Sequence, residues 1–408
     1  MSHYPVKLRD PNDPGHPPAP VGLARSLTAT LRGSAHRLAK GPRLAIVDTH
    51  LPWAISGFRY REFAEMARQR PDLVGFSLWG MDEDFEAPVH PLSLFPLLAP
   101  ALGVTDVYMV FLNWTASVLG LSRFAEASGV GGLRHDVSLW PWLRRHRIRV
   151  HTSIYPGGGL VPDVAPSLLR LVASRCDTVF TNVAEVEDAV ASALFTPVSC
   201  DVDFYSFAER SLTGPVQLVF AAADRPRKGL PTLIDAYNIL RDDDRFHLHI
   251  VGPHEAHLPR LENHRFTAHG WLEPEELRAV YTRCHAFVSP VTRDEVDAGE
   301  GAGMVDGFPT TAATDAMATG AALISSNPRG EHRVFSPGLH YEELPERDPA
   351  ALAAALVSFA ADRGALAALA RRGADRVRER MSTERIVSYK LATLRAGVTT
   401  GGWRTRRR

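Results

Sequence analysis

The feature of this sequence that most restricts its fold is an alternation of short apolar runs and amphipathic helical segments, which occurs twice along the chain. Helical patterns such as Tyr60–Arg70 and Leu168–Ser174 separate several of the apolar runs in the first series. Strands that alternate with helices in this way predict a parallel sheet with helices on both faces. The predicted strands of the first series are Arg43–Val47, Asp72–Leu78, Asp106–Leu112, Ile148–Ile154, Asp177–Phe180 and Pro197–Val202.

A second series follows the polar segment 206–215, which contains Gly214-Pro215 and is predicted to be a linker. Its predicted strands are Val216–Ala221, Phe246–Val251, Phe266–His269, Ala286–Ser289 and Ala321–Ser325. Its predicted helices are Leu230–Leu240, Pro274–Cys284, Thr311–Ala318, Pro349–Asp362 and Gly364–Met381.

The sequence therefore predicts two consecutive doubly wound, Rossmann-like α/β domains. Their expected bounds are 43–205 and 216–381, and residues 382–408 are expected to form a helix that returns to the first domain, followed by a basic tail. A chain of 408 residues is long enough for two such cores. Open α/β sheets bind ligands at the carboxyl ends of their strands, so we expect the site in an interdomain cleft.

Charge and cysteine content limit the partners and the compartment. The formal net charge is zero, so no overall field attracts nucleic acid. Cys176, Cys200 and Cys284 lack CxxC spacing, which is typical of buried thiols in a reducing compartment. No apolar run approaches the roughly 20 residues that a membrane-spanning helix needs, and no secretory signal pattern is found. We therefore expect a cytoplasmic protein.

Residues 1–42 are predicted to be an extension outside the first domain. The first twenty contain six prolines and predict disorder. Leu23, Leu27 and Leu31 then fall on one helical face, with basic residues elsewhere. This pattern is typical of a short helix packed on a domain surface, and also of one that lies on an anionic membrane. The basic tail 404–408 adds to the case for a peripheral membrane contact.

A cationic turn follows the first strand of the second domain. Val216–Ala221 leads into Asp224-Arg225-Pro226-Arg227-Lys228-Gly229, and a predicted helix begins directly afterwards. Cations at the amino terminus of a helix form a site for a diphosphate, because side-chain charge and helix dipole act together. We expect Lys228 and Arg225 to contact that group; the alternative is a solvated basic turn.

A second informative segment runs from Asp306 to Gly320. Gly307 and Pro309 predict a tight turn, and Thr310 or Thr311 can cap the helix that follows. Asp306 precedes this helix, and Asp315 is expected on its exposed face. Carboxylates there would accept hydrogen bonds from paired hydroxyl groups. The alternative makes Asp306 a turn residue and Asp315 a surface charge.

Together these two segments resemble the carboxyl-terminal half of retaining, family-4-like GT-B glycosyltransferases. The likeness lies in a lysine-glycine turn, in two acidic residues around a Gly-Phe turn, and in the Ala-Met and glycine that follow. It spans about residues 43–395. The matching residues are Pro226–Gly229, Asp306–Phe308, Asp315–Met317 and Gly320, together with Ile250–Gly252, His269–Leu272, Glu275–Leu277 and Phe287–Pro290.

The resemblance implies metal-independent, cofactor-free transfer of a sugar, with retention, from a UDP- or GDP-linked donor to a small-molecule or glycan acceptor. Lys228 and Arg225 would hold the diphosphate, and Asp306 would bind the hydroxyls of the transferred sugar. Asp315 would accept from the ribose hydroxyls. The turn residues that would assist are Gly307, Phe308, Pro309, Thr310 and Thr311, and the residues of the loops that would flank the base are Gly252 and Trp271.

Two features depart from the family pattern. The acidic residues are aspartates where the family has glutamates, and the eight residues between Asp306 and Asp315 are one more than usual. The arginine that normally precedes the lysine falls on Ala222 or Ala223, so Arg225 is taken as its substitute. These departures affect donor identity and contacts rather than the class.

In the first domain, Ile55-Ser56-Gly57-Phe58 resembles the family's first glycine loop, with Ser56 in place of a glycine. The resemblance implies that Gly57 faces the donor phosphates. The segment 149–159 resembles the strand end at which the family places a histidine beside the sugar. Two registers compete, Tyr155 and His151. We favour Tyr155 because it directly precedes the turn Pro156–Gly159.

Metal chemistry is not predicted. Asp201-Val202-Asp203 is similar to the metal-binding Asp-x-Asp of another glycosyltransferase fold, but it lies at the domain junction. The pair His247 and His249 and the loop histidines His254, His257 and His264 lack a closed set of ligands.

The loop 291–305 is long and acidic. It is predicted to be a lid, with attraction of a cationic acceptor as a further hypothesis. Its acidic residues are Asp294, Glu295, Asp297 and Glu300.

Two other functions stay open: a GT-B protein that couples a non-sugar partner, and a catalytically silent GT-B scaffold. The altered acidic spacing and the missing arginine favour the scaffold. The presence of Lys228, Asp306 and Asp315 favours an enzyme. Binding and turnover of nucleotide sugars would distinguish these functions.

Overall fold

The computed structural model describes residues 43–51, 57–79, 85–130, 136–160, 164–293 and 306–396. They form two compact domains. The N-terminal domain consists chiefly of the described residues up to Val198, together with the helix that begins at Thr383. The C-terminal domain consists of 199–293 and 308–382.

The N-terminal domain is built on a parallel sheet. Its strands are β1 (Arg43–His50), β2 (Val74–Trp79), β3 (Val89–Pro91), β4 (Val104–Val110), β5 (Arg149–Ile154), β6 (Thr178–Thr181) and β7 (Leu194–Phe195). Its helices are α1 (Gly57–Gln69), α2 (Phe95–Ala101), α3 (Leu112–Val118), α4 (Ser122–Ala127), α5 (Trp140–Arg145), α6 (Pro166–Ser174) and α7 (Ala184–Ala189). The strand order is β3-β2-β1-β4-β5-β6-β7, and apolar clusters cover both faces, which explains the nearly continuous apolar runs.

The C-terminal domain has a second parallel sheet. Its strands are β8 (Val216–Ala221), β9 (Phe246–Val251), β10 (Phe266–Gly270), β11 (Ala286–Ser289), β12 (Ala322–Ser326) and β13 (Glu342–Leu344). Its helices are α8 (Leu230–Ile239), α9 (Pro274–Arg283), α10 (Thr311–Thr319), α11 (Pro349–Ala361) and α12 (Arg363–Met381). The strand order is β10-β9-β8-β11-β12-β13.

A last helix, α13 (Thr383–Ala396), packs against α1 of the N-terminal domain. Val387, Leu391 and Leu394 contribute to the apolar cluster beneath β1 and α1. Among the described helices none alone is long and apolar enough to span a membrane, although α11 and α12, bent by 105° at their junction, pass that test as a pair.

A buried ion pair joins α13 to this domain. Lys390 Nζ lies 2.6 Å from Glu62 Oε1 of α1, and both side chains are fully buried. Nζ also lies 2.9 Å from the Tyr108 hydroxyl, 3.0 Å from Ser153 Oγ and 2.7 Å from the Tyr155 hydroxyl. Burial alone would lower the pKa of Lys390, but the Glu62 carboxylate outweighs this effect and the pKa is raised. The lysine is therefore charged.

The predicted strands of the two central sheets agree with the structure to within a few residues. Pro197–Val202 is an exception, because the last strand of the first sheet is Leu194–Phe195. Cys200 and Val202 instead join the core of the C-terminal domain. The three-residue strands β3 and β13 were not predicted, since neither carries an apolar run.

The segment 206–215, predicted as a linker, is anchored to the C-terminal domain. The Arg210 guanidinium donates to the carbonyl oxygens of Cys284 at 3.0 Å and Tyr281 at 2.9 Å, and also to that of Thr319. These carbonyls lie at the ends of α9 and α10, where helices leave acceptors without intrahelical partners. Phe207 lies beneath the Arg371 guanidinium, 3.9 Å from the ring centroid. The segment is thus part of the domain.

Candidate functional site

The loops that follow the parallel strands of the C-terminal sheet share one edge. Because β8 lies between β9 and β11, the cationic turn after β8 is placed between the loop after β9 and the loop after β11. The carboxyl edge is where open α/β sheets bind ligands. Arg225 and Lys228 lie on the loop after β8, Gly252 on the loop after β9 and Trp271 on the loop after β10, so these four residues share this edge.

Close backbone contacts hold the cationic turn. Pro226–Lys228 forms one 3₁₀ turn, and Gly229 has a left-handed backbone, φ 76°, before α8 begins. A Cβ at Gly229 would lie 1.8 Å from the Pro290 carbonyl oxygen, so only glycine permits this approach. Thr292 N donates to the Arg227 carbonyl oxygen at 2.9 Å. Arg227 is buried, whereas the side chains of Arg225 and Lys228 are partly exposed.

Gly229→Ala is expected to lower the free energy of unfolding by more than about 1–2 kcal/mol, the conformational cost of a left-handed L-residue. The collision with Pro290 adds to that cost. Urea denaturation measures the change. Gly338→Ala is the matched control, because Gly338 has φ 71° and no atom within 4 Å of its added Cβ. Equal losses in the two variants would contradict the steric argument.

The loops after β9 and β10 are packed beside this turn. Gly252, with φ 122°, brings its backbone against Ala222, and its N donates to the Gly270 carbonyl oxygen at 2.8 Å. His254 Nε2 donates to the Ala222 carbonyl oxygen at 2.9 Å. Trp271 directly follows Gly270 and is 41% exposed. Gly252 and Trp271, the predicted base-flanking residues, therefore lie on adjacent loops of the same edge.

Asp224 is a residue of this edge to which no role was assigned from the sequence. Its Oδ1 lies 3.0 Å from His257 Nε2 and 3.8 Å from His254 Nδ1. The contact connects the cationic turn to the loop after β9. The sequence signal that could have pointed to Asp224 is its position at the start of the cationic turn. Within the described part of the chain, no group of three or more histidine, cysteine or carboxylate side chains could hold a metal ion.

Helix α10 is the element that follows β11 along the chain. Thr310 is its N-cap, and Thr310 Oγ1 accepts from Ala313 N at 3.3 Å. Of the two predicted caps, Thr310 is therefore the one used, and Thr311 is the first helical residue. The Phe308 ring packs on Tyr341 at 4.9 Å, and the Phe308–Pro309 peptide is cis. The first turn of α10 and the cationic turn follow neighbouring strands, so both lie at the carboxyl edge.

The two aspartates of this segment differ in exposure. Asp306 is partly exposed, and Gly307 follows it. Asp315 was expected on an exposed helical face, and this expectation is wrong: the residue is 5% exposed, and its Oδ1 accepts from Cys200 Sγ at 3.3 Å. The reason is that every residue of α10 from Ala313 to Thr319 is buried, so this part of the helix has no exposed face.

In the N-terminal domain, both candidates for the sugar contact are buried. The Tyr155 hydroxyl contacts Lys390 Nζ at 2.7 Å and Thr196 Oγ1 at 3.2 Å. His151 Nε2 lies 2.9 Å from Asp106 Oδ1. Neither side chain presents a surface to a ligand, so we do not propose either as a sugar contact. Gly57 is the first residue of α1 and is partly exposed.

Several other predictions lie outside the described residues. They concern Ser56, the acidic residues Asp294, Glu295, Asp297 and Glu300, the extension 1–42 and the tail 404–408.

The histidines of β9 form a row on one face of the sheet. His249 Nδ1 lies 2.9 Å from His269 Nε2, and His249 Nε2 donates to Gln217 Oε1 at 3.0 Å. Burial, together with the nearby His247, His269 and Arg283, lowers the pKa of His249 to about 4. As the pH falls, His249 is therefore protonated in the unfolded chain at a higher pH than in the folded protein.

This shift predicts a pH dependence of stability. A histidine with a lowered folded-state pKa destabilises the fold as the pH falls from about 6.5 to about 4, because the unfolded state binds more protons there. We expect His249→Gln to reduce the loss of melting temperature between pH 7 and pH 4.5. Substitution of the exposed His264 by glutamine is the control. An unchanged pH profile in His249→Gln would contradict the prediction.

Comparisons with known proteins agree with this architecture. Residues 215–362 match the family model described as glycosyl transferases group 1. The structure is similar to HepE from Anabaena, solved in complex with UDP, with a TM-score of 0.63, 14% identity, and coverage of 87% of this chain and 100% of that chain. A comparison of the sequence with curated proteins gave no significant match.

Two other solved structures show the same likeness. Sucrose-phosphate synthase from Thermosynechococcus elongatus has a TM-score of 0.60 and 15% identity, with coverage of 87% of this chain and 99% of that chain. A glycosyltransferase from Rickettsia africae has a TM-score of 0.61 and 10% identity, with coverage of 88% and 99%.

The two parallel sheets with their flanking helices have the GT-B fold of glycosyltransferases, which confirms the predicted fold class. Within that fold, the match to the glycosyl transferases group 1 model lies in the C-terminal domain, which carries the cationic turn.

Proposed function

We propose that this protein is a metal-independent GT-B glycosyltransferase that transfers a sugar, with retention, from a UDP- or GDP-linked donor to a small-molecule or glycan acceptor. The observation that carries the proposal is the cationic turn at Arg225–Gly229, packed between the loops after β9 and β11. HepE is solved with UDP and also with UDP-glucose, which supports a nucleotide-sugar donor.

The reaction breaks the bond between the anomeric carbon of the sugar and a diphosphate oxygen. Negative charge grows on the leaving diphosphate, and Lys228 and Arg225 would stabilise it together with the amino terminus of α8. The contact of Gly229 with Pro290 holds the backbone that carries these two residues in place before the donor binds. Little reorganisation is then needed as the charge develops.

The sugar and the ribose need hydrogen-bond acceptors. We assign the sugar hydroxyls to Asp306, assisted by the turn from Gly307 to Thr311. Asp315 is buried against Cys200, so we assign it a positioning role in holding α10. With retention, the acceptor hydroxyl attacks the face from which the diphosphate leaves, and no protein nucleophile is required.

Calorimetric titration with UDP, GDP, UDP-glucose and GDP-mannose in EDTA tests the proposal. One nucleotide series is expected to bind, and its sugar to be hydrolysed slowly or transferred with the anomeric configuration retained, as read by NMR. Failure of every nucleotide to bind would favour the scaffold. Binding without release of a sugar would favour the coupling of a non-sugar partner. Loss of turnover in EDTA would overturn metal independence.

A further inference from the structure

A second cleft in the C-terminal domain lies on the sheet edge opposite the cationic turn. His285 and Gly320, which precede β11 and β12, mark the amino ends of these strands and line the cleft. Its other walls are the segment Phe207–Leu212 and the first turns of α12. The cleft measures about 360 Å³, which is within the size range of small-molecule sites. Its residues have no part in the proposed transfer reaction.

The lining of this cleft carries excess positive charge. Arg210, Arg363 and Arg371 line it, and Glu209 is the carboxylate among its lining residues. Glu209 is already bound, since its Oε1 accepts from Arg371 Nη2 at 3.0 Å. The partners of Arg210 are all neutral: the Ala208 carbonyl oxygen, and carbonyl and hydroxyl oxygens at the ends of α9 and α10. Two guanidinium charges therefore lack a neutralising carboxylate within the described residues.

Arg363 also has unused donors. Its Nη2 makes one long contact, 3.4 Å, with the Ser211 carbonyl oxygen. Its Nε and Nη1 are buried and have no hydrogen-bond partner among the described residues. Burial lowers the pKa of Arg363, and it lowers the pKa of Arg210 to about 10, as expected for charges that no anion compensates. An uncompensated, partly buried charge is costly, so an anion bound beside Arg363 would stabilise the domain.

The rest of the lining is apolar. Phe207, Leu366 and Ala370 form the wall, and Leu212 leaves 53% of its surface exposed at the rim. An inorganic ion would leave this surface in water. A guanidinium fork pairs with a carboxylate or phosphate group, and the apolar wall suits a hydrocarbon or aromatic body.

We propose that this cleft binds a small organic anion, a carboxylate or phosphate monoester with an apolar body, through the uncompensated positive charge of Arg363 and Arg210. This binding site is separate from the carboxyl edge of the sheet, where we place the donor and which we call the donor edge. It does not depend on the proposed transfer activity. Because Gly320 ends α10, the ligand would lie at the opposite end of the helix whose first turn contributes to the donor edge.

Thermal shift and calorimetry on the full chain test this proposal with hexanoate, hexyl phosphate, hexanol and inorganic phosphate. Hexanoate or hexyl phosphate is expected to bind and raise the melting temperature. Hexanol and inorganic phosphate are expected to bind at least about tenfold more weakly. Hexanol lacks the anionic group, and inorganic phosphate lacks the apolar body. Arg363→Met should weaken hexanoate and hexyl phosphate binding by about tenfold or more, without lowering the melting temperature of the free protein, since it removes an uncompensated charge.

Two control variants locate the site. Arg372→Met removes an exposed arginine of α12 outside the cleft and should leave hexanoate binding unchanged. Lys228→Met should do the same, which separates the cleft from the donor edge. The proposal is overturned if hexanol or inorganic phosphate matches the organic anions, if neither organic anion binds at millimolar concentration, if Arg363→Met retains binding, or if Lys228→Met abolishes it.

Discussion

Lys390→Met is expected to lower the free energy of unfolding of the N-terminal domain by about 3–5 kcal/mol, as in other buried ion pairs that lose one partner. The substitution leaves the Glu62 carboxylate fully buried without its cation, 2.6 Å away in the native protein. It also removes the donor that the hydroxyls of Tyr108 and Tyr155 share. Urea denaturation measures the loss.

Two further variants separate charge from packing at this position. Arg385→Met on the same helix removes an exposed cation, and its effect should stay within about 0.5 kcal/mol. The double variant Glu62→Gln with Lys390→Met removes both charges and should recover most of the lost stability. A Lys390→Met loss below about 1 kcal/mol, or a double variant as unstable as the single one, would show that the ion pair does not secure α13.

Lys228→Met is expected to reduce the rate of sugar transfer about a hundredfold, equivalent to roughly 3 kcal/mol of transition-state stabilisation. Lys228 ends the 3₁₀ turn that Gly229 fixes against Pro290, so the backbone from which its side chain extends is positioned before the donor arrives. The negative charge that the Lys228 ammonium group would stabilise increases as the diphosphate leaves. The loss should therefore appear mainly in kcat, measured with the nucleotide sugar that the binding screen identifies.

The matched control is Arg241→Met, which removes an exposed cation just beyond α8. Its kcat and KM should equal those of the unaltered protein, and both variants should melt at the native temperature. A rise in KM with kcat unchanged would mean that Lys228 binds donor and transition state equally. Unchanged kcat/KM would remove Lys228 from the proposed mechanism.

The carboxyl-edge loops of the C-terminal domain could be anticipated because their signals are local. A positive-φ glycine after a cationic turn and a threonine cap before α10 depend on neighbouring residues in the chain. The contacts of these loops with Gly252, Gly270 and Pro290 follow from the order of parallel strands.

Side-chain exposure is harder to predict from the sequence than these local turns. Asp315 is buried because the core surrounds α10, and Tyr155 is buried because Lys390 reaches its hydroxyl from α13, 235 residues later. The polar composition of the segment 206–215 predicts a linker, because it does not show that Arg210 contacts the ends of two helices. Each of these features depends on partners distant in sequence.

The sequence alone is enough to predict the two alternating series of strands and helices, the doubly wound class and the position of the cationic turn. Apolar periodicity and turn chemistry are properties of short segments, so they can be recognised without a fold. The folded structure is needed to see which polar groups are buried in pairs, such as Lys390 with Glu62, and which donors of Arg363 lack a partner within the described residues. Burial and pairing depend on contacts between residues of different helices and strands. Such contacts leave no periodic pattern in a single sequence.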